Sequence, residues 1–338
     1  MKRTLIFFCF VTINSISTQA QLGGQKSYEF LNVPNNARLA ALGGVNVSLV
    51  DRDVNSFYSN PSLVSDTLKG WTSASYQFYV AGVNQAAFSY LNNFKTVGLL
   101  ALGVQHLSYG MIKSYDATGA EIGSFNSGET ALVIGKSHQI HNFRFGINTK
   151  MAFSSIAGYR SSAIMFDIGG VFVHPKKKLT VGLAMKNLGF VLSEYSTTAK
   201  SKLPVDIQLG ITFKPEHMPF RFSITGYNLM QSNITYYDAQ NSTERPGTFD
   251  KVLRRFNFAT ELLLHKNVNL MVGYNYRIHQ ELKLSNGGGG AGISFGFSAK
   301  IKSSEFVFSR GGYVSGKAGY TFTISLNMNK LLTKRSSA

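Results

Sequence analysis

Val205-Asp206-Ile207-Gln208-Leu209-Gly210-Ile211-Thr212-Phe213, residues 205–213, is the stretch on which the fold turns. Every odd position is apolar, and the even positions are Asp, Gln, Gly and Thr. Side chains of an extended strand point alternately to its two faces. This stretch is therefore expected to be a strand with one greasy face and one small or polar face. The period recurs along the chain. Val268, Leu270, Val272, Tyr274, Tyr276 and Ile278 are expected on one face, opposite Asn269, Met271, Gly273, Asn275 and Arg277. Tyr320, Phe322, Ile324, Leu326 and Met328 alternate with Thr321, Thr323, Ser325 and Asn327. Ile164, Phe166, Ile168 and Phe172 share a face that Asp167 leaves, and Phe256, Phe258, Leu262 and Leu264 oppose Asn257, Ala259 and Glu261.

The alternating segments run about nine to thirteen residues, beyond the roughly five or six of a soluble strand. A tilted strand that crosses a bilayer needs about nine to eleven. A greasy face could still be the core of a soluble sandwich, and alternation does not separate the two. Connection lengths do. Counting from Thr72, turns after even strands are short: 92–93, 139–142, 174–178, 214–219, 265–267 and 302–304. Several loops after odd strands are long: 111–127, 189–202, 231–251 and 279–289, with 81–84 an exception. Short turns on one side and long loops on the other mark an outer-membrane barrel. The count is about fourteen strands, which brings both termini to the periplasmic side. The expected fold is all-β, a transmembrane antiparallel β-barrel spanning 71–330, with a tail at 331–338. Tyr76 and Tyr79, Tyr109 and Tyr115, Tyr227, Tyr236 and Tyr237, and Tyr313 and Tyr320 cluster near strand ends, as an interfacial girdle would.

The start of the chain reads as an export signal over 1–20. Lys2 and Arg3 are basic, residues 5–13 form a short apolar run, and Thr18-Gln19-Ala20 suits a signal peptidase. Cys9, the single cysteine, lies inside that run. Lipidation, disulfides and cysteine-built zinc sites are thus not expected in the mature chain. After this signal no apolar run reaches the roughly eighteen residues of a spanning helix. Aromatic residues at 13%, with 33 glycines against 7 prolines, favour strands and tight turns. Net charge is +17, and +15 once Lys2 and Arg3 leave with the signal. The basic residues are scattered, with Lys176-Lys177-Lys178 the single run of three. For an exported chain the expected counterpart is lipid headgroups or lipopolysaccharide, not nucleic acid.

Residues 21–70 break the strand pattern, and 35–64 within them resemble a site. Gly43-Gly44 lacks the Lys-Ser/Thr of a phosphate loop. It is read as the stop of a short helix capped by Asn36. Asp51 and Asp53 have calcium-loop spacing without the rest of that loop. A salt bridge with Arg38 is the expected arrangement, and Arg38 and Asp53 are expected to touch each other or barrel-lining side chains. Asn60-Pro61 turns the chain toward the first strand. Gly287-x-Gly289-x-x-Gly292 spells a dinucleotide fingerprint but leads into a strand, not a helix. His138 and His141 lie on a turn with no third ligand. Asp167, Asp206 and Glu261 are expected to face the lumen and pair with Arg255, Arg277 or Lys300. No catalytic set, cofactor site or metal site is expected.

Several residues of the 21–70 segment carry a resemblance. Gly23-Gly24-Gln25 is followed by Tyr28, Phe30 and Leu31, then by Ala37-Arg38-Leu39-Ala40-Ala41-Leu42-Gly43-Gly44, Asp53 and Asn60-Pro61-Ser62-Leu63. This segment resembles the N-terminal region of the barrels related to the FadL long-chain fatty acid transporter. Within them it is similar to the type IX secretion barrels of the Bacteroidetes. The Gly-Gly-Gln start with Phe30-Leu31 before the Ala-Arg helix narrows it to the PorQ-type family, with the PorV-type cargo-shuttle barrels nearest to it. The match extends loosely to the Tyr115-Asp116-x-x-Gly119 loop and the strand pattern. The resemblance implies a non-enzymatic outer-membrane anchor for a PorZ-like surface protein, beside PorU and PorV in one attachment complex. It also implies a lumen plug built on Arg38, Gly43, Gly44, Asp53, Asn60 and Pro61. Contacts to the partner would come from the outer loops, with Tyr115, Tyr236 and Tyr237 as candidates because tyrosine is favoured at interfaces. A FadL-like transporter of hydrophobic molecules is the alternative, with Gly169-Gly170 able to supply a strand kink. A soluble periplasmic β-domain is the third reading.

Overall fold

The computed structural model describes residues 26–198, 200–231, 234, 247–282, 290–314 and 317–330, the side chains of 313, 314 and 317 excepted. Fourteen strands close into one barrel in chain order. They are β1 (Trp71–Phe78), β2 (Asn84–Phe94), β3 (Gly98–Tyr115), β4 (Glu121–Ile140), β5 (Phe143–Ile156), β6 (Tyr159–Val173), β7 (Leu179–Ser193), β8 (Asp206–Phe213), β9 (Phe220–Gly226), β10 (Phe256–His265), β11 (Val268–Asn275), β12 (Ile293–Ile301), β13 (Ser304–Val314) and β14 (Lys317–Asn327). All pairs are antiparallel, and β1 meets β14 from Trp71↔Asn327 to Phe78↔Tyr320, leaving no free sheet edge at the seam.

Burial follows the sequence period. Along β8, Asp206, Gln208 and Thr212 are buried while Leu209 and Ile211 are 46% and 48% exposed. The buried face is the lumen, so the barrel is inverted relative to a soluble protein. Leu132, Ile134, Phe145, Ile168, Leu183, Ile224, Val272 and Phe295 carry the greasy surface around the wall. An exposed apolar area of that extent is a liability in water and a requirement in hydrocarbon. We expect Leu209→Arg, at the middle of β8, to cost about 2–4 kcal/mol in urea-induced unfolding from lipid vesicles. An unchanged midpoint would show that β8 does not face lipid.

Connections obey the expected alternation. Residues 95–97, 141–142, 174–178, 214–219, 266–267 and 302–303 make the short-turn rim. The other rim carries the long 194–205, 227–255 and 276–292 connections, with α2 (Thr248–Leu253) and α3 (Tyr276–Leu282) among them.

Several expectations need correction. Residues 111–127 are mostly strand, because β3 and β4 stay paired up to Tyr115↔Glu121 and stand above their neighbours as a tall hairpin. Its tip is tied by Asp116, whose Oδ1 accepts from Thr118 N and Ala120 N at 2.8 and 2.9 Å. Asn92-Asn93 is still strand, and the chain turns after Phe94. Tyr276 and Ile278 do not prolong β11. Asn275 Oδ1 accepts the Ile278 amide at 3.2 Å and the chain enters α3. Tyr227 belongs to no girdle, because it is buried and donates to Asn275 Oδ1 at 2.7 Å. Gly169 and Gly170 pair in register with β5, and the register shifts of β6 against β7 lie between Ser162 and Ala163 and between Phe166 and Ile168.

Candidate functional site: the segment inside the barrel

Residues 26–70 lie within the lumen and touch its wall nearly all the way round. The segment enters with Tyr28, Phe30 and Leu31 packed on Leu107, Ala131, Ala152, Ala163 and Met165. Tyr28 also shares a hydrogen bond with Ser161. Helix α1 (Ala37–Ala41) follows. Asn36 caps it by accepting from Leu39 N at 2.9 Å. Gly43 and Gly44 end it with φ of 84° and 90°, a left-handed conformation that glycine adopts without strain. The alanines of α1 let its backbone press on β11 to β14. A Cβ on Gly273 would fall 2.2 Å from Gly43 N, and one on Gly296 would fall 2.8 Å from the Ala41 side chain. Carbonyls past the helix end meet strand amides: Asn257 Nδ2 donates to Leu42 O and Val45 O, both at 2.8 Å, and Asn275 Nδ2 donates to Gly43 O at 3.1 Å.

Arg38 sits at the centre of an ion network. Its Nη2 donates to Asp51 Oδ2 at 2.5 Å and to Glu261 Oε1 at 2.8 Å. Arg221, on β9, donates to the same two carboxylates at 2.8 and 2.5 Å. Two guanidiniums and two carboxylates thus join α1, the following loop, β9 and β10. Burial works against the charge of Asp51, but Arg38 and Arg221 outweigh it and hold the carboxyl well below the usual range. Asp53 stands outside the network. Its Oδ1 accepts from Asn55 N at 2.9 Å and from Asn55 Nδ2 at 3.1 Å. Burial pushes its carboxyl up, with Arg38 and the Asn55 bonds opposing. The expected Arg38 pairing is therefore made with Asp51 and the strand residue Glu261.

Asn60 caps the turn that it opens, with Oδ1 accepting from Ser62 N at 3.0 Å, while its Nδ2 donates to Val47 O at 2.8 Å. Pro61 lies against Gly146 and Gly169. Val54, Phe57, Tyr58, Val64 and Leu68 fill the short-turn end against Leu91, Ala101 and Val133. Tyr58 lies over Gly103 and donates to Phe88 O at 2.8 Å.

No family model matches this chain, and no curated protein matches it. Among solved structures, the deltaS2 mutant of the TodX monoaromatic hydrocarbon channel is similar, at TM-score 0.52 and 12% identity, over 87% of this chain and 97% of its own. A mutant of the Rh. blastica porin matches at TM-score 0.31 and 7% identity, covering 76% of this chain and 98% of that one. OccAB2 of Acinetobacter baumannii matches at TM-score 0.28 and 10% identity, covering 76% and 96%. The TodX likeness is one of fold, a closed barrel of this kind.

On the long-loop side of the segment the lumen keeps a cavity of about 590 Å³. Asn35, Gln105, Lys150, Lys186, Asp206 and Gln208 are among its lining residues. Asp167 and Asp206 do face inward, but their partners differ from those expected. Asp167 takes Lys150 at 2.8 Å, and Asp206 accepts from Gln208 at 2.8 Å. Arg255 donates to the Asn228 and Gln231 carbonyls, Arg277 pairs with Glu281 at 2.7 Å, and Lys300 pairs with Glu305 at 3.5 Å.

Tyr115 lies at the end of β3, 56% exposed. Tyr236 and Tyr237 fall outside the described residues, as do Gly23-Gly24-Gln25, Gly287, Gly289, the 1–20 signal and the 331–338 tail. His138 is in β4 and His141 in the turn after it. Among the described residues no group of three or more His, Cys, Asp and Glu could hold a metal. Sequence reasoning missed Arg221. Its signal was there: in Phe220-Arg221-Phe222-Ser223-Ile224-Thr225 the parity puts Arg221 on the polar face. It placed Gly273 on the inward face but missed the inward glycines at 146, 169, 182 and 296, which follow the same alternation.

Proposed function

We propose that this chain is a non-enzymatic outer-membrane barrel whose N-terminal segment plugs the lumen and whose long-loop rim holds a protein at the cell surface. The observation that supports it most is the segment itself. It is tied to opposite walls by Asn148 and Asn257, whose side-chain amides donate to Phe57 O and Leu42 O, and by the Arg38 network, with a cavity above it that several charged side chains line. Together with the resemblance of 21–70, this favours a PorQ-type barrel of the type IX secretion system. Its partner would be a PorZ-like surface protein, with PorU and PorV in the same complex. With the short turns toward the periplasm the chain leaves β14 on that side. The expectation of a periplasmic start is not met at Ser27, whose N donates to Lys202 O at 2.9 Å in the long 194–205 connection. The greasy belt then meets outer-membrane lipid and lipopolysaccharide. Tyr115, Tyr236 and Tyr237 are the proposed contacts.

The test is a detergent pull-down from the native outer membrane with identification of what co-purifies. The full chain should retain one dominant surface protein. A variant lacking 232–250 and the tall hairpin tip 111–126 should lose it. Undiminished capture by that variant would overturn the loop-docking reading. The second reading, passive transport of hydrophobic molecules, draws on the barrel shared with a hydrocarbon channel. A PorV-like cargo-shuttle barrel would instead show many substrates in the same pull-down. Transport predicts uptake of a labelled fatty acid or aromatic hydrocarbon into proteoliposomes beyond that of empty vesicles. The lining is mixed, with Leu31, Val33, Tyr227 and Met230 among it, but the charges of Lys26, Lys150, Lys186, Arg277, Glu29 and Asp206 around a cavity of about 590 Å³ argue against it.

A further inference from the structure

Nine of the lysines scattered along the sequence sit on one rim. Five of the six short turns carry lysine: Lys95, the Lys176-Lys177-Lys178 run, Lys214, Lys266 and Lys302. The sixth carries His141, with Arg144 two residues into β5. Lys69 and Lys330 stand on either side of the seam where β1 meets β14. Glu216 is the one carboxylate on those six turns. Lys95, Lys266, Lys302 and the 176–178 run are exposed, and among the described residues no carboxylate lies within ion-pair distance of them. Lys214 points back at its own turn, donating to Met218 O at 3.1 Å.

The opposite rim is built differently. It carries Lys200, Lys202, Lys251 and Arg160 as well, but among the described residues Glu29, Asp116, Glu121, Glu194, Asp250 and Glu281 stand beside them, and Arg254, Arg277 and Lys113 are paired with Asp250, Glu281 and Glu121. The surplus positive charge of the protein therefore has a direction.

We infer that the short-turn rim is a binding surface for anionic phospholipid headgroups. The rim borders the greasy belt, so its ammonium groups stand at headgroup depth, where long lysine stems can lie along apolar surface with the charge in water. Successive short turns are two strands apart, roughly 10 Å at about 4.8 Å per strand. That spacing is close to the ~8 Å screening length at physiological salt, so neighbouring lysines act on the same headgroup layer. The distribution selects the partner. A protein would cover one arc of the rim, whereas these lysines run round the circumference and across the seam, as a partner that surrounds the barrel requires. Phosphate esters occur in phospholipid and in lipid A. The assignment to phospholipid rests on the orientation proposed above, with short turns toward the periplasm.

The full chain is placed in nanodiscs of phosphatidylcholine, of phosphatidylcholine with phosphatidylglycerol, and of phosphatidylcholine with lipid A. The thermal midpoint should rise by several degrees with phosphatidylglycerol, and the rise should vanish at high salt. Native mass spectrometry should find phosphatidylglycerol retained on the barrel. The combined K176Q, K177Q, K178Q, K266Q and K302Q variant should lose most of that rise and retention while matching the parent in phosphatidylcholine alone. K200Q with K202Q, on the opposite rim, should keep both. Equal midpoints with and without phosphatidylglycerol, or an undiminished rise in the five-lysine variant, would overturn the inference. So would selective retention of lipid A through the same lysines, or their capture of an acidic periplasmic protein with no lipid effect. Retention of lipid A would also reverse the proposed orientation and count against the loop reading, whereas the other outcomes leave the loop pull-down untouched, so the two readings can fail separately.

Discussion

Glu261→Ala should unseat the N-terminal segment from the barrel wall. Glu261 is 2% exposed at its side chain and accepts from both Arg38 and Arg221. Removing it leaves two guanidiniums sharing Asp51, with Arg38 4% exposed and its Nε and Nη1 already without partners. Breaking a buried ion pair from one side costs about 3–5 kcal/mol, because the remaining charge stays desolvated. Part of that cost can be avoided if the segment leaves the lumen and Arg38 reaches water. The expected result is therefore a lowered urea midpoint together with trypsin cleavage after Arg38, a bond protected in the parent. The double variant Arg38→Leu with Glu261→Leu should recover much of the loss, since replacing both members of a buried pair by apolar groups is often near neutral. A Glu261→Ala protein with the parental midpoint and an uncut Arg38 would show that the network does not hold the segment. The pH dependence has a definite sign. Asp51 has a depressed folded pKa, so its contribution is present above the ordinary carboxylate value of ~3.9 and fades as pH falls through its lower folded value. Asp53 has a raised one, so its burial strain is relieved as pH falls through that raised value. Release of the segment by acid should thus need pH well below ~4.

Gly146→Val with Gly169→Val should open the lumen. Both glycines face inward under the Asn60-Pro61 corner. A Cβ on Gly146 would lie 2.4 Å from the Pro61 carbonyl carbon and 2.5 Å from Ser62 N. One on Gly169 would lie 1.9 Å from Asn60 Oδ1 and 2.9 Å from Pro61 Cδ. β5 and β6 are hydrogen-bonded on both sides, so the strands cannot retreat, and valine favours the strand backbone. Overpacking of this kind costs about 1–3 kcal/mol per site. The movable element is the segment, and its displacement leaves a water path. Stepwise conductance in planar bilayers is expected for the double variant and not for the parent. Gly170→Val is the control. Its Cβ points outward and meets nothing closer than the Phe145 ring at 3.8 Å, so it should stay closed. A folded double variant that does not conduct would argue that the segment is not what closes the lumen.

Alternation made the wall legible because it is a local property. Leu209, Ile211 and Phe213 point one way and Gln208, Gly210 and Thr212 the other whatever the rest of the chain does. Connection lengths then separated a barrel from a sandwich. Strand ends were read less well. Tyr276 looked like the next outward residue of β11, yet the chain enters a helix there, with Asn275 Oδ1 accepting from Ile278 N at its start. The hairpin above residue 111 looked like loop because its alternation weakens where no lipid face is needed, although its backbone pairing continues.

From its own residues this chain specifies strands of membrane-crossing length, a strand number near fourteen, a helix stop at Gly43-Gly44 and a segment that is not wall. Those features depend on neighbours in sequence. Which carboxylate meets Arg38 depends on a residue 223 positions away, brought there only when the lumen closes around α1. Why Gly146 and Gly169 are glycine depends on Pro61 arriving from inside. Lysines as far apart in sequence as Lys95 and Lys302 share one rim because each antiparallel hairpin returns its turn to the same side of the bilayer. Charge sign and spacing were set by the sequence, and their direction by the closure of the sheet.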